Sequence, residues 1–491
     1  MDSLVTRSDM NYPSIVPNLI GKSESLSASG KKFQNINPHD GSVICEVTSS
    51  NADDVNTAVT TALRVQKEWA KTAAVARGRV LFEIVDLLVK NKNDLAKIVA
   101  METGKSVAAA LGEVGGAIDL ARFYAGEGQR LYGRTTVSGV GGKQIYHIKE
   151  PVGVAGLIIS ANTPIANVAW KVFPALICGN AAVLKASEDA PLTSYLFGKI
   201  VAESSLPDGV LSIIQGDGPN AGSPLVQHPK VGVLSFTGST AVGKMIAVDA
   251  GRRMAKVSLE LGGKNPLVVC ADADLDKAVK WILLSGYSNA GQRCAAASRI
   301  IIFESIYNEL RDRLIKASSL LKLGVNDDDD FGPVINMKQV NHILQSIADV
   351  QKRGGKVVSG GVRSSRDGKQ KGFYIEPTII ENVSPDDVFS QTELFGPVIT
   401  LYMARDLAHA IELANNSPYG LTSCIHTTNF ENAILFSRSV EAGVCNINGP
   451  TYGSEPHLPF GGVKDSGNGS REPGTEALDI YTNLKTVSYI L

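Results

Sequence analysis

Two segments in the second half of the chain carry side chains that proteins use in catalysis. Gly291-Gln292-Arg293-Cys294 presents a thiol, and Leu259-Glu260-Leu261-Gly262-Gly263 places a carboxylate between an apolar strand and a glycine turn. Thiolates are nucleophiles and carboxylates act as general bases. A single cysteine is more often a buried structural thiol, however, and a single glutamate is usually solvated. The two segments indicate a catalytic site only in combination with a third one, Ser160-Ala161-Asn162-Thr163-Pro164.

A possible nucleotide site follows an apolar strand, where Phe236-Thr237-Gly238-Ser239 opens a helical pattern. Helix N-termini offer free N–H groups and the positive end of a dipole, and Gly238 lets the backbone approach a phosphate closely. A plain helix cap at Ser239 explains the same residues equally well. The dinucleotide fingerprint GxGxxG is absent, and the segment from Gly216 to Gly222, which contains Gly218, misses it by one extra residue.

Lys185 and Glu188 follow another short apolar run, Ala181 to Leu184. Ligands collect at the C-terminal ends of strands in doubly wound sheets. An acidic side chain there can accept hydrogen bonds from ribose hydroxyls and repels a 2′-phosphate, which favours NAD over NADP without excluding NADP. The alternative is a surface Lys–Glu pair of little energetic value.

The elements that must position these residues alternate between strand and helix. Residues 1 to about 50 are expected to be irregular, residues 53–126 helical, and residues 128–150 a hairpin. Buried strands are predicted at 152–159, 181–184, 210–214 and 231–236, and a second α/β stretch at 266–459. This alternation predicts an α/β fold with parallel sheets. The acidic run Asp327 to Asp330 fits a solvated loop better than a metal site, and no metal is expected.

Composition excludes several classes of function. Forty-eight Lys and Arg balance forty-nine Asp and Glu, so neither nucleic acid nor a membrane surface is an expected partner. The most apolar long stretch, 152–184, contains Lys171 and two prolines and does not predict a membrane span. Six scattered cysteines and an N-terminus without a secretory signal favour reduced thiols in the cytoplasm.

An ordered series of motifs across nearly the whole chain resembles the aldehyde dehydrogenase superfamily. In chain order the matching segments are Glu150-Pro151-Val152-Gly153-Val154, Asn162-x-Pro164, Trp170-Lys171, Pro174-Ala175-Leu176, Gly179-Asn180, Lys185-x-x-Glu188, Phe236-Thr237-Gly238-Ser239, Leu259-Glu260-Leu261-Gly262-Gly263-Lys264, Gly291-Gln292-Arg293-Cys294, Glu393-x-Phe395-Gly396-Pro397 and Pro459-Phe460-Gly461-Gly462-Val463-Lys464-x-Ser466-Gly467. Agreement of so many motifs in one order does not arise by chance.

The resemblance implies a role for each catalytic candidate. Cys294 attacks the aldehyde carbonyl, and some lowering of its thiol pKa is expected because an ordinary thiol is mostly protonated at neutral pH. The Asn162 amide and the Cys294 backbone N–H stabilise the oxyanion. Glu260 activates the water that hydrolyses the thioester, and Lys171 relays protons nearby.

For the cofactor, the resemblance implies NAD, with NADP as an alternative. Lys185 and Glu188 match contacts to the adenosine ribose, Ser239 a pyrophosphate contact, and Glu393 a contact to the nicotinamide ribose. Phe395 is expected near the nicotinamide, and Phe236, Gly238 and Gly218 complete the list of cofactor-binding candidates.

The sequence departs from the family pattern on both sides of Asn162, where aromatic residues are common and this chain has Ala161 and Thr163. The departure puts the shape of the pocket in question. Two alternatives stay open: a CoA-acylating relative, which Glu260 argues against, and an inactive structural or binding homologue. The segment 448–457 is similar to that of some semialdehyde-oxidising members, such as 2-oxoglutarate-semialdehyde dehydrogenases. Arg293 could bind a substrate carboxylate or equally form a structural ion pair.

The resemblance also implies an architecture of three parts. A Rossmann-type cofactor domain would comprise residues 1–127 and 151–259, an α/β catalytic domain 260–465, and a small β bridging element 128–150 and 466–491. The hairpin and a C-terminal strand at 486–490 are expected to pair across a subunit interface. The protein would then be a homodimer or a homotetramer.

Overall fold

The computed structural model describes residues 12–490. Residues 1–11, part of the segment expected to be irregular, lie outside that range. The first elements are the strands β1 (Ile15–Val16), β2 (Asn18–Ile20), β3 (Ser23–Ser25), β4 (Lys32–Ile36) and β5 (Val43–Thr48), followed by the helices α1 (Ala52–Lys71), α2 (Ala74–Lys90), α3 (Lys92–Thr103) and α4 (Val107–Glu127).

The expectation of irregular structure is wrong for residues 15–48, which contain five strands. These strands are only two to six residues long, and β5, the longest, buries its side chains in adjacent pairs rather than alternately. Strands this short, or without alternation, do not show the pattern by which a half-buried strand is recognised. The helical segment is confirmed, and its start at α1 is set by Asn51, whose side chain forms a capping box with Asp54.

The expected hairpin is present as β6 (Arg134–Val137) and β7 (Lys143–Pro151). A βα series follows: β8 (Val154–Ile158), α5 (Pro164–Ile177), β9 (Ala181–Lys185), α6 (Pro191–Ala202), β10 (Leu211–Ile214), α7 (Ser223–Gln227), β11 (Val231–Thr237), α8 (Thr240–Arg252) and β12 (Lys256–Glu260). Strands β8, β9 and β10 are buried at every residue, as expected for strands covered on both faces.

The second α/β stretch begins with β13 (Asn265–Val269). It continues with α9 (Leu275–Tyr287), β14 (Ala297–Phe303), α10 (Tyr307–Ser319), α11 (Met337–Lys352), β15 (Lys356–Ser359), β16 (Thr378–Glu381), α12 (Val388–Gln391), β17 (Val398–Ala404), α13 (Leu407–Asn415), β18 (Tyr419–Gly420), β19 (Thr422–His426), α14 (Phe430–Ser439), β20 (Val444–Ile447), β21 (Val463–Lys464), α15 (Ala477–Ile480) and β22 (Thr482–Ile490).

Two seven-stranded sheets dominate the described residues. The first has the order β12-β11-β8-β9-β10-β2-β3, in which β12 through β10 are parallel and β2 and β3 form an antiparallel edge. The second has the order β15-β16-β17-β14-β13-β19-β20 and is parallel except at β15. The predicted α/β class with parallel sheets is confirmed.

A separate three-stranded sheet has the order β22-β7-β6, so the C-terminal strand pairs with the hairpin of its own chain. Before β22, residues 466–481 run along the first sheet: Gly467 bridges to Glu260, and Leu478 and Tyr481 join its core. None of the helices in residues 12–490 combines the length and the apolar character that crossing a membrane requires.

Candidate active site

Most of the candidate residues lie at one edge of the first sheet. β8 ends just before the Asn162 loop, β9 ends at Lys185, β11 ends just before Gly238, and β12 ends at Glu260. Because these strands are parallel, their C-terminal ends meet at the same edge. The chain adds β9 and β10 on one side of β8 and then β11 and β12 on the other, so the order reverses between β8 and β11. Such a reversal opens the crevice in which α/β proteins bind ligands.

The turn that carries Cys294 has unusual backbone geometry. Asn289, Ala290 and Gly291 are consecutive left-handed residues with φ angles of 55°, 55° and 68°. A Cβ at Gly291 would lie 2.1 Å from the carbonyl oxygen of Gly396, so only glycine fits there. A non-glycine residue in this region costs on the order of 1–3 kcal/mol, which the surrounding contacts must offset.

Two amide side chains hold that turn. Gln292 accepts a hydrogen bond from the Ile335 N–H at 2.8 Å and is almost fully buried. Asn265 donates to the carbonyl oxygens of Cys294 at 2.7 Å and Ala296 at 2.9 Å. The position of the thiol is therefore fixed from both sides of the cysteine.

Asn162 lies against the same turn. Its Nδ2 donates to the Gln292 carbonyl at 2.9 Å, and its Oδ1 accepts from Ser160 Oγ at 2.8 Å. One amide hydrogen stays uncommitted, and the Cys294 N–H finds no acceptor within residues 12–490. The two donors expected to stabilise an oxyanion thus lie close together beside the cysteine.

The expected lowering of the thiol pKa is not found. Burial raises the pKa of Cys294 to about 12, and the negative charges of Glu260 and Glu393 act in the same direction, against smaller opposing effects of the Ala295 N–H and of Arg293. A thiolate is poorly stabilised at a partly buried position close to two carboxyl groups. The resting cysteine is therefore a neutral thiol.

Glu260 is buried, and neither of its carboxyl oxygens has a hydrogen-bond partner among the described residues. Burial raises its pKa well above the ordinary value, the charge of Glu472 raises it further, and Lys171 and Arg471 oppose this effect. The carboxyl group fits closely against the chain, since a Cβ at Gly461 would lie 2.8 Å from Glu260 Oε1. A carboxyl with an elevated pKa can take up a proton near neutral pH.

Lys171 belongs to a buried hydrogen-bonded network, and its positive charge acts on the pKa of Glu260. Its Nζ donates to Glu472 Oε2 and to Ser235 Oγ, both at 2.8 Å, and both charged side chains are fully removed from solvent. Glu472 Oε1 accepts from Ser235 at 2.6 Å and from Ser258 at 2.9 Å. Every polar atom of the pair is thus satisfied, as a buried ion pair requires.

The segment at the end of β11 forms a cap for α8. Ser239 accepts a hydrogen bond from the Val242 N–H as the N-cap residue. Gly238 lies over the ring of the buried Phe236, where a Cβ would approach the ring to 2.4 Å. Thr237 Oγ1 is buried without a partner in the described part of the chain. The predicted cap is present, and an unpaired hydroxyl and a free helix N-terminus adjoin it.

Lys185 and Glu188 form an ion pair at 3.0 Å, in which the lysine is buried and the glutamate side chain is 50% exposed. The lysine stem lies beside the π-helical turn Gly218–Gly222. A Cβ at Gly222 would be 3.6 Å from the Cδ of Lys185. The exposed carboxylate faces solvent at the crevice and can accept further hydrogen bonds.

Glu393 comes from the second α/β unit and folds onto the glycine turn after Glu260. Its Oε1 accepts from the Gly263 N–H at 3.0 Å, and burial raises its pKa to about 7. A Cβ at Gly262 would lie 2.1 Å from Glu393 Oε2. Phe395, two residues on, is half-buried with a φ of 54°. Glu393 is therefore held against the glycine turn that follows β12.

A cleft of about 810 Å³ leads to Cys294 and is lined in part by Asn162 and Thr163. The ring centroids of Trp170 and Phe460 are 5.5 Å apart in an edge-to-face pair on its wall. These two rings give the cleft an aromatic surface, although the residues on either side of Asn162 in the sequence are not aromatic.

Sequence reasoning missed the residues that support the site, chiefly Glu472, Asn265 and Asn289. Asn289 donates to the Asn162 carbonyl at 3.1 Å and to the Gln292 carbonyl at 3.2 Å. Glu472 lies in a polar stretch near the C-terminus that gives no sign of burial. Only Asn265 could have been found, because it directly follows the glycine motif of Glu260.

The acidic run Asp327 to Asp330 is a loop whose carboxylates accept backbone hydrogen bonds. Asp329 accepts from the Asn326 N–H and Asp330 from the Lys322 N–H. Groups of three or more His, Cys, Asp or Glu side chains able to hold a metal ion are absent from residues 12–490. All six cysteines lie in that range, and none is disulfide-bonded.

Comparisons with known proteins identify the family of the chain. The model of the aldehyde dehydrogenase family matches residues 26–487. Aldehyde dehydrogenase 1A1 of Mesocricetus auratus is 38% identical over 469 residues, covering 94% of this chain and 92% of the relative. Alpha-ketoglutaric semialdehyde dehydrogenase of Bacillus subtilis is 34% identical over 464 residues, covering 94% of this chain and 95% of the relative.

Among solved structures, betaine aldehyde dehydrogenase from Staphylococcus aureus in complex with NAD+ superimposes with a TM-score of 0.94 at 32% identity, covering 96% of this chain and 94% of that one. A point mutant of the same enzyme, also with NAD+, gives a TM-score of 0.95 at 31% identity and 97% coverage of both chains.

Proposed function

Because the chain belongs to the aldehyde dehydrogenase family, we propose that it oxidises an aldehyde to the carboxylic acid with NAD, through an acyl thioester on Cys294. The observation that carries the proposal is the convergence of Cys294, Asn162 and Glu260 at one crevice. The three side chains come from different segments, and the turn before the cysteine contains three consecutive left-handed residues.

In the first step, Cys294 Sγ adds to the aldehyde carbon. The thiol is neutral at rest, so it gives up its proton as it attacks, and we assign Glu260, whose charge acts on the thiol, as the proton acceptor. The carbonyl oxygen becomes an oxyanion, which the free amide hydrogen of Asn162 and the Cys294 N–H stabilise. Removing one such donor typically slows a reaction by about 100- to 1000-fold.

NAD, when bound, supplies the hydride acceptor that turns the adduct into a thioester. The residues present fit this cofactor. The N-terminus of α8 at Ser239, above Gly238 and Phe236, suits a pyrophosphate, and the unpaired Thr237 hydroxyl lies beside it.

The remaining cofactor contacts lie on the two flanks of that helix end. Lys185 and the half-exposed Glu188, beside the Gly218 turn, suit the hydroxyls of the adenosine ribose. Glu393 and Phe395 lie on the opposite flank and suit the nicotinamide ribose and ring. The negative charge of Glu188 disfavours a 2′-phosphate, so we propose NAD as the preferred cofactor and NADP as the poorer one.

The thioester on Cys294 is then hydrolysed by water that Glu260 deprotonates. The elevated pKa of Glu260 supports this role, because a carboxylate with a higher pKa is a stronger base. The Lys171–Glu472 network is a route by which the proton leaves. A base at this position gives a free carboxylic acid rather than an acyl-CoA.

We further propose that the protein is a cytoplasmic homodimer or homotetramer. Residues 12–127 and 151–259 would form the cofactor domain, residues 260–465 the catalytic domain, and the three-stranded sheet the bridging element. The strand β6 supports the assembly, because every one of its residues is exposed at a free sheet edge.

Replacing the nucleophile tests the proposal. Cys294→Ala should abolish NADH formation from every aldehyde while NAD still binds, as measured by calorimetry. Cys445→Ala is the matched control, since this half-buried thiol packs against a separate apolar cluster that includes Cys270 and Phe436, and it should keep normal turnover. Turnover by Cys294→Ala would disprove the assignment.

A further inference from the structure

Arg293 holds a positive charge in the cleft beside Cys294 without a counter-ion. Its guanidinium lies over the ring of Tyr452, with 4.9 Å between Cζ and the ring centroid. Its Nε is buried without a hydrogen-bond partner, and no carboxylate or carbonyl of residues 12–490 accepts a hydrogen bond from the guanidinium. Of the two roles open to it from sequence, the structural ion pair is thus not formed.

The other charged groups of the cleft do not neutralise Arg293. Glu113 is the buried carboxylate that lines the cleft, but it forms an ion pair with Lys105 and also accepts hydrogen bonds from the N–H groups of Ile165 and Ala166. The charge of Arg293 even contributes to a lower pKa of Lys105. Of the charged side chains buried along the cleft lining, two are thus cations and one is a committed anion, while Glu260 and Glu393 do not line the cleft.

The acidic residues at the rim are committed elsewhere or exposed. Asp329 and Asp330 accept N–H groups of their own loop, Asp119 pairs with Arg122, and Glu455 is exposed to solvent. An apolar cluster that includes Trp170 and Phe460 lies beside the thiol. The cleft thus offers an apolar surface and one unsatisfied cation next to the reacting sulfur.

Resting on the proposed aldehyde oxidation, we propose that the substrate is an aldehyde that also carries an anionic group, a carboxylate or a phosphate, which Arg293 binds. A guanidinium presents its donors as a planar fork that matches the oxygens of either group. Tyr452 holds the plane of the fork before substrate arrives. An aldehyde with a quaternary ammonium group would meet an unfavourable charge at the same place.

The test compares kcat/KM for four aldehydes of similar length. These are 4-oxobutanoate, its neutral amide, 3-oxopropyl phosphate and 4-(trimethylammonio)butanal. The wild type should prefer an anion to the neutral amide by about 10- to 150-fold, the range that a hydrogen bond to a charged group provides, and should oxidise the cation worst. The better of the two anions identifies whether the site takes carboxylate or phosphate.

Arg293→Met removes the charge but keeps an apolar side chain over Tyr452. The ratio of kcat/KM for the preferred anion to that for the amide should fall by about 10- to 150-fold, mostly through KM, and Arg293→Lys should restore part of it. Arg122→Met is the matched control, because it removes an exposed cation near the rim. That ratio should stay as in the wild type.

A second measurement does not depend on folded variants. Succinate, which has no aldehyde group, should compete with the neutral amide in the wild type. Equal kcat/KM for anion and amide, or a ratio unchanged in Arg293→Met, would overturn the inference and leave aldehyde oxidation standing. A wild type that oxidises none of the four aldehydes would instead contradict the proposed function.

Discussion

Lys171 and Glu472 form an ion pair of 2.8 Å in which both side chains are fully removed from solvent. The lysine comes from α5 and the glutamate from the segment after β21, which are about three hundred residues apart in the chain. Their charges act on Glu260 in opposite directions, the glutamate raising and the lysine lowering its pKa. The pair therefore joins the C-terminal segment to the first sheet and sets the basicity of the residue proposed to activate water.

Glu472→Gln should lower both stability and the pKa of Glu260. Removing one partner of a buried pair costs about 3–5 kcal/mol, because the other charge is left uncompensated. Without the negative charge of Glu472, Glu260 ionises at lower pH. The acidic limb of the pH profile for thioester hydrolysis should therefore shift to lower pH, as measured by stopped-flow.

The double variant Lys171→Met/Glu472→Leu controls for the stability loss. Replacing both charges with apolar side chains should recover most of the unfolding free energy, as measured by urea titration. A Glu472→Gln protein whose stability and pH profile both match the wild type would show that the pair has neither role.

Glu260→Gln should slow acylation but block hydrolysis. Glutamine keeps the size of the side chain but cannot accept a proton from water, so deacylation should slow by about 100- to 10,000-fold. Intact-protein mass spectrometry after mixing with aldehyde and NAD should show an added acyl group. Glu83→Gln, far from the crevice on α2, should leave no trapped species, and a Glu260→Gln protein with normal turnover would contradict the base role.

The elevated pKa of the Cys294 thiol should be visible in its reactivity. Because this pKa is about 12, the thiolate fraction of the free enzyme should rise about tenfold per pH unit from pH 7 to 10, without a plateau. Alkylation of Cys294 by iodoacetamide, followed by peptide mapping, measures this slope. A free thiol compound levels off near its pKa of about 8.5, and a plateau of the same kind at Cys294 would argue for an activated thiolate.

Glu188→Ser should weaken the discrimination between cofactors. The glutamate carries the negative charge expected to repel a 2′-phosphate, and its side chain is 50% exposed at the crevice, so its loss should disturb the fold little. The ratio of kcat/KM with NAD to that with NADP should fall by about tenfold, roughly the value of one charged contact. Glu203→Ser, on the end of α6, is the control, and an equal ratio in both variants would remove Glu188 from the cofactor site.

Val137→Arg should disrupt the proposed assembly. Val137 is the last residue of the edge strand β6, and its side chain is 93% exposed in a single chain. Contact with water does not stabilise this apolar side chain. A charge on an edge strand opposes strand pairing between subunits. Light scattering should show a smaller species than the wild type, and Val362→Arg, exposed on the second α/β unit, should leave the mass unchanged. A wild type that is monomeric would refute the assembly itself.

The sequence alone determined the parts that depend on local pattern and on resemblance. Runs of buried apolar residues identify β8, β9 and β11, since strands covered on both faces are apolar throughout. Motif order identified the family, and with it Cys294, Glu260 and Asn162. The strands at 15–48 were not predicted, because they are only two to six residues long and do not alternate regularly between buried and exposed side chains.

Tertiary structure decided what the charges around those residues do. The thiol pKa rises rather than falls because burial and two carboxyl groups from distant segments act on it together. Glu472 reaches Lys171 only through the fold, and Arg293 proves unpaired only when every neighbour is in place. Burial and charge–charge interactions depend on distances in space, and a linear sequence does not contain those distances.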